Sequence, residues 1–290
     1  IRRWVLGPEG KSRGRRRGLA ARLADVASYD EAGDKAIQAA IEAAGQLPGD
    51  GWLARIAEND PWGAIGRLLV AARGQVYARG ADPKNADSGY GLETELADPG
   101  PDLVAAAADA SDAIEALLRP LMTLGKRLDA LVDDPPDWLD GQARARVDGA
   151  RASLGTRIDT LGAWLSLLGR VGGPADPDFV DWLAVDRFDG REYDIGLHRH
   201  WLDPARPVAD IVYAPAQGVL VTSATLRSGA QAGDDAGSGW SDADIRTGAR
   251  HIDGGVRHFA VPSPLDYARQ AEVLIVTDIA RGDLPALAGA

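Results

Sequence analysis

Two apolar cadences of the same rhythm flank a stretch that cannot be helical, and together they restrict the fold more than any other feature of the chain. In the first, Ile114, Leu117, Leu121, Leu124, Leu128 and Leu131 recur at 3-4-3-4-3 spacing. In the second, Leu154, Ile158, Leu161, Leu165 and Leu168 repeat that rhythm. Each set falls on one stripe of a helix. Between them Asp133-Asp134-Pro135-Pro136-Asp137 forbids helix, since proline lacks an N–H and restricts the residue before it. Two seams joined by a short breaker predict an antiparallel helical hairpin whose stripes bury each other. Pro120 is expected to kink the first helix.

The helical pattern runs from about residue 20 to 172. Asp30 is placed to cap a helix through Ile37 and Ile41. Asp60-Pro61 is a stronger start signal, because proline at the first helical position loses no useful N–H. Ile65, Leu68, Leu69, Ala72 and Val76 then mark one face. The Gly/Pro/Asp-rich stretch from Gly80 to Pro101 predicts a long loop.

After Gly172-Gly173-Pro174 the chemistry turns to strands. Trp182–Phe188 runs into Asp189-Gly190, a hairpin dipeptide. Tyr193, Ile195, Leu197 and Trp201 then alternate with Asp194, His198 and His200, the period of a half-buried strand. Val208–Tyr213 is a short amphipathic segment. Gly218-Val219-Leu220-Val221-Thr222 has the composition of a parallel strand buried on both faces, and Val273–Thr277 that of a second. Residues 227–254, rich in Gly, Asp and Ser, predict a flexible loop with Trp240 and Ile245 as its few core residues.

A length of 290 residues allows one large domain or two to three small ones. With 45% hydrophobic and 26% charged residues the chain is an ordinary globular one, which excludes wholesale disorder. The absence of cysteine excludes disulfides, thiolate metal sites and a cysteine nucleophile within it. No apolar run approaches the ~18 residues of a bilayer span. The net charge of −11 at first argues against nucleic acid, but it is an average. Residues 1–22 carry eight basic side chains against Glu9, leaving 24 basic and 42 acidic groups for the rest. That basic stretch is a solvated face, a localisation-like tract or a set of phosphate contacts.

Several motifs fail on their own terms. Gly7-Pro8-Glu9-Gly10-Lys11-Ser12 has Val5 where a phosphate loop needs its first glycine. His198 and His200 share a face, but no carboxylate pattern completes a metal site around them, or around His251 and His258. Asp234, Asp235, Asp242 and Asp244 lack the spacing of a calcium loop and predict a solvated linker. The most specific feature is the run from Gly218 to Leu226, where an apolar strand delivers the hydroxyls of Thr222, Ser223 and Thr225 at its carboxyl edge. Such an edge collects ligands in open α/β sheets, although a plain strand-to-turn cap uses the same residue types.

Val221-Thr222-Ser223-Ala224-Thr225-Leu226 resembles motif III of the superfamily-two DNA helicases, specifically the DinG-type branch related to XPD. Gly196-Leu197-His198-Arg199-His200-Trp201-Leu202-Asp203-Pro204 precedes it much as in bacterial DinG-like proteins. Ser263-Pro264-Leu265-Asp266-Tyr267-Ala268-Arg269-Gln270 is similar to their Ser-Pro-Phe-Asp-Tyr element, with Leu265 in place of Phe. The stretch from Arg2-Arg3-Trp4 to Arg17 resembles the segment after the DExH box in that group.

The resemblance implies a mixed α and α/β chain, with a mainly helical Arch-like insertion followed by partial RecA-like α/β lobes. Residues 1–22 would end the first lobe, 23–175 form the Arch-like domain, and 176–226 close the first lobe with motif III. The loop at 227–254 would lead to the start of the second lobe at 255–290. It also implies a cytoplasmic parent acting in DNA repair on single-stranded or forked DNA, with ATP and Mg2+ as cofactors. Any iron–sulfur region, with the family's cysteines, would lie upstream of Ile1. Thr222, Ser223, Ala224, Thr225 and Leu226 would couple hydrolysis to unwinding, and Arg13, Arg15, Arg16 and Arg17 would contact DNA phosphates. The phosphate loop, DExH carboxylates and arginine-bearing motif VI are not in this sequence, so the chain is expected to be a piece of that parent and inactive alone. The competing expectation is a non-enzymatic helical interaction module with a basic tether.

Overall fold

The computed structural model describes residues 1–7, 18, 19, 21–23, 30–79, 91–228, 239–261, 264–273, 275, 277, 279, 280 and 282–289. The chain forms two compact units, Ile1–Asp203 and Pro204–Ala290. Both helices and strands are present, as a mixed architecture requires.

In the first unit α1 spans Arg2–Leu6, α2 Glu31–Gly45, α3 Trp52–Ala57 and α4 Gly63–Arg79. The two leucine cadences become α5, Pro101–Asp133, and α6, Gly141–Leu168. Proline stands at the start of α5, where its missing N–H is harmless, and Asp140 caps α6 by accepting 2.7 Å from the Ala143 N–H. Gly125 faces Leu154 and Ile158, and Asp129, one turn on, reaches back to Arg151, so the pair runs antiparallel. Ile114, Leu117, Leu121, Leu124 and Leu128 are buried, as are Leu154, Leu161 and Leu168. Helix α5 continues through Pro120 rather than ending there.

The hairpin does not bury itself alone. Helices α2 and α4 also pack on α5, and its N-terminal half presents Ala106, Ala107 and Ala110 as buried small residues. Asp30, 9% exposed and the buried charge among the described residues, makes no capping bond at the start of α2. Its carboxylate instead takes two 2.8 Å hydrogen bonds from the Arg127 guanidinium on α5. Those bonds hold its pKa below the usual value against the opposing effect of burial.

A three-stranded antiparallel sheet completes this unit: β1, Leu92–Glu95; β2, Phe179–Phe188; and β3, Arg191–Trp201, in the order β1-β2-β3. Asp189 and Gly190 both have positive φ, 49° and 73°, as a two-residue hairpin turn of this hand demands. Strand β1 corrects the expectation of an unbroken loop from Gly80 to Pro101. Its four residues offer only Leu92 as a buried anchor, too little pattern to stand out. Tyr193 is a second correction. The register passes from Arg187–Glu192 to Asp186–Asp194, so Tyr193 is an extra, bulged residue and 60% exposed. Ile195 and Leu183 remain inward and buried.

Arg73 on α4 clamps this sheet to the helices. Its Nε and Nη2 donate to both oxygens of Glu192 at 2.8–3.1 Å, and the Tyr77 hydroxyl donates to Glu192 at 2.6 Å. Burial raises the Glu192 pKa, but Arg73 and Tyr77 outweigh it and hold the carboxyl below its usual value.

The second unit has little closed core. Helix α7, Ala205–Val208, continues as one π-helical turn over Ala209–Tyr213, and α8 covers Ser241–Thr247. Two further short helices are α9, Tyr267–Gln270, and α10, Leu284–Gly289. Helix α8 lies within the stretch 227–254 that composition assigns to loop, its first turn carrying Asp242 and Asp244. The two buried parallel strands expected here do not form among the described residues. Residues 218–222 belong to no strand or helix, and Leu220 is 72% exposed. Val273 and Ile275 are 84% and 82% exposed. Apolar runs of this kind need sheet partners on both sides to be buried, and among the described residues no strand pairs with them.

Candidate functional site

The hydroxyl-rich segment lies entirely in the second unit. The exposed run Val219-Leu220-Val221 brings the chain to Thr222 and Ser223, and a turn at Ala224-Thr225 comes next. The Ser223 and Thr225 hydroxyl oxygens are 3.3 Å apart, and the Thr225 N–H donates to Ser223 Oγ at the same distance. The serine thus closes a local turn on its own backbone, the alternative use of such residues. Thr222, Ser223, Ala224 and Thr225 are exposed, while Leu226 is half-buried.

Thr222, Ser223 and Leu226 line an open cleft of about 480 Å³. Its opposite wall comes from α8 and from the extended stretch after it. The Trp240 indole, buried at the start of α8, stacks on the His258 imidazole with ring centroids 4.9 Å apart and planes 14° from parallel. His258 Nε2–H donates to Asp244 Oδ1 at 2.7 Å, fixing the ring against both partners. The cleft therefore combines apolar walls with four hydroxyl-bearing residues (Tyr213, Thr222, Ser223 and Thr247), Arg257 and a carboxylate–imidazole pair. Such groups exchange hydrogen bonds with a polar partner, and the hydroxyls do so without adding charge.

Of the expected residues, the structure brings Thr222, Ser223 and Leu226 to one cleft, and leaves Ala224 and Thr225 at the turn. Arg13, Arg15, Arg16 and Arg17 lie outside the described residues. Sequence reasoning missed Trp240, Asp244 and His258. Asp244 sits in an acidic, glycine-rich context and His258 is 14 residues away, so no local spacing links them. A buried tryptophan just before an acidic first turn was the one available signal.

His198 and His200 do share a face of β3, as alternation requires, but both rings are engaged by Trp182 on β2. His198 stacks on the indole at 5.0 Å and His200 meets it edge-on at 4.9 Å. Among the described residues no group of three or more His, Asp or Glu is placed to hold a metal ion. Nor is any described helix long and apolar enough to cross a membrane.

At the N-terminus the described residues Arg2 and Arg3 are turned to structural use. Arg2 donates to the carbonyls of Gly45 and Leu47 at 2.6 and 2.7 Å, satisfying acceptors at the end of α2. Arg3 pairs with Asp50 at the surface. The backbones of Gly7 and Gly18 meet, so closely that a Cβ on Gly18 would lie 2.6 Å from Gly7 N and Val5 O. The two ends of the stretch bearing Arg13 to Arg17 are thereby brought together.

No family model, curated protein or solved structure matches this chain.

Proposed function

We propose that this chain is part of a DinG-type, XPD-like ATP-dependent DNA helicase of superfamily two. In that reading it guides single-stranded DNA and supplies motif III, while hydrolysis of ATP resides in parts of the parent that this sequence does not contain. The parent is a cytoplasmic DNA-repair enzyme acting on single-stranded or forked DNA. The observation that carries the reading is the segment Val221–Leu226. Its Ser223 hydroxyl lines a cleft and lies 3.3 Å from the Thr225 hydroxyl on the adjoining turn, directly after an apolar run that pairs with no strand among the described residues. An unpaired run of this composition is what a sheet completed by further chain would leave exposed. The order of parts supports it as well: a basic stretch, a long helical hairpin, then the hydroxyl motif.

The chain's own residues have limited but definite roles. Arg13, Arg15, Arg16 and Arg17 would contact DNA phosphates, each such contact releasing a counterion. The α5–α6 hairpin is the Arch-like element beside which the displaced strand passes. Ser223 and Thr225 link the nucleotide-bound and DNA-bound states of the lobes through their hydrogen bonds. ATP and Mg2+ would supply the phosphoryl-transfer chemistry in the parent.

The test is Ser223→Ala combined with Thr225→Ala in the full-length protein. Unwinding should fall much further than DNA-stimulated ATP hydrolysis, because coupling rather than chemistry is removed. Equal loss of both activities would defeat the coupling role. A parent gene without a phosphate loop and DExH box upstream, and a Gln-x-x-Gly-Arg-x-x-Arg-type motif downstream, would defeat the family reading itself.

A further inference from the structure

Three buried side-chain donors near the N-terminus have no partner: Arg22 Nε, Arg22 Nη2 and Trp4 Nε1. Buried N–H groups are almost always satisfied, and an orphan of this kind points to a water or ion that completes it. Two orphans on one guanidinium are more informative than their number suggests. Nε and Nη2 form the side-on fork of arginine, the edge that grips two oxygens of one carboxylate or phosphate. A second guanidinium contacts the same indole. Arg22 Cζ and Arg157 Cζ each lie 5.6 Å from the Trp4 ring centroid, the first from the turn of helix at 21–23 and the second from α6.

Aromatic contact alone would explain two arginines over an indole, at a worth of about 1 kcal/mol each. It would not leave the donating edge of Arg22 and the indole N–H both buried and empty-handed. An oxyanion taken by the Arg22 fork would satisfy both of its orphaned donors at once and offset positive charge beside the indole. The position fits such a ligand as well. Trp4 lies three residues before Gly7, Arg22 four after Gly18, and those two glycines touch. The site thus sits where both ends of the most basic stretch of the chain converge.

We propose that Arg22, Arg157 and Trp4 form a binding site for a phosphate-class oxyanion. The Arg22 fork holds two oxygens, the Trp4 N–H donates to the anion, and Arg157 supplies the second positive charge. This site is separate from the cleft beside Thr222 and Ser223, and it stands whether or not the helicase reading holds.

Inorganic phosphate titrated at constant ionic strength into the 15N-labelled 290-residue chain tests it, read on the indole N–H signals of the eight tryptophans. Trp4→Phe identifies the signal. The Trp4 indole should shift saturably with phosphate and not with chloride. Arg22→Lys, which keeps the charge and loses the fork, should weaken binding roughly ten-fold or more, and Arg157→Gln by a few-fold. Unmoved signals from the other seven indoles report that the variants are folded. Should Arg22→Lys disturb them, Arg157→Gln, half-exposed on a long helix, carries the test. A parallel titration with a short oligothymidylate separates the two sources of phosphate. A shift with both ligands identifies a site open to a nucleic-acid backbone, and a shift with inorganic phosphate alone identifies a closed site for a free anion. No saturable shift at Trp4, an equal response to chloride, or full-strength binding in both arginine variants would overturn the proposal.

Discussion

The two units of this chain start from the same raw material and treat it differently. Both contain runs of large aliphatic residues, yet in Ile1–Asp203 the leucines of α5 and α6 are buried against each other, α2 and α4. In Pro204–Ala290 the equivalent material at Val219, Leu220, Val273 and Ile275 faces solvent. Helices close their own backbone hydrogen bonds and need only a stripe to bury, so a few of them suffice for a core. A strand of the buried type needs a neighbour on each edge and a layer on each face. The first unit holds what its elements require, and the second holds strand-like sequence with no sheet among its described residues.

The sharpest way to break this comparison is to open the first core. Leu121→Ala removes a fully buried side chain from the centre of α5 and should lower stability by about 2–5 kcal/mol, read by chemical denaturation. A loss below about 1 kcal/mol would mean that the leucine seam is not the centre of the fold.

Next in size is the clamp between α4 and β3. Glu192→Gln leaves Arg73 facing an uncharged group and should cost about 2 kcal/mol near neutral pH. The sign of its pH dependence comes from the carboxyl being held below its usual value. The stabilisation is complete above the ordinary glutamate pKa and is lost as pH falls through the lower, folded value. The gap between wild type and Glu192→Gln should therefore close on acidification. A gap that stays constant with pH would show that the variant acts by packing.

The smallest effect is expected in the second unit. Leu220→Ser changes a largely exposed side chain and should shift the stability of this chain by no more than about 0.5 kcal/mol. In the proposed full-length parent, where the run would be a covered strand, the same substitution should be clearly destabilising. A large effect in the 290-residue chain would show that Leu220 is already buried in solution.

Legibility in the sequence divides along the same line. The α5–α6 hairpin was plain because its signal repeats over many residues and its breaker is unambiguous. Asp189-Gly190 fixed the β2–β3 turn because the turn needs two residues of positive φ and few dipeptides supply them. Strand β1 was hidden, since its reason to be a strand is the β2 edge, which lies some 90 residues away in sequence at Leu92–Val185. Tyr193 was misplaced because alternation cannot count a bulge. At the cleft, Thr222 and Ser223 were visible by composition. Trp240, Asp244 and His258 became a unit only once α8 was folded, because stacking and a single hydrogen bond leave no spacing rule behind. Asp30 stands before α2 as expected, but the dominant partner of its carboxylate is Arg127 on α5, a bond that only tertiary structure supplies.

The contact between Gly7 and Gly18 sets different rules for the fold and for the charge. Gly7 has φ +92°, a conformation that residues with side chains rarely adopt, and a Cβ there would meet the Gly18 N at 3.2 Å. A single methyl group at position 18, by contrast, would collide with three backbone atoms at 2.6 Å. Substitution at either glycine would therefore act on the packing beside α1 while leaving the number of basic side chains between them unchanged.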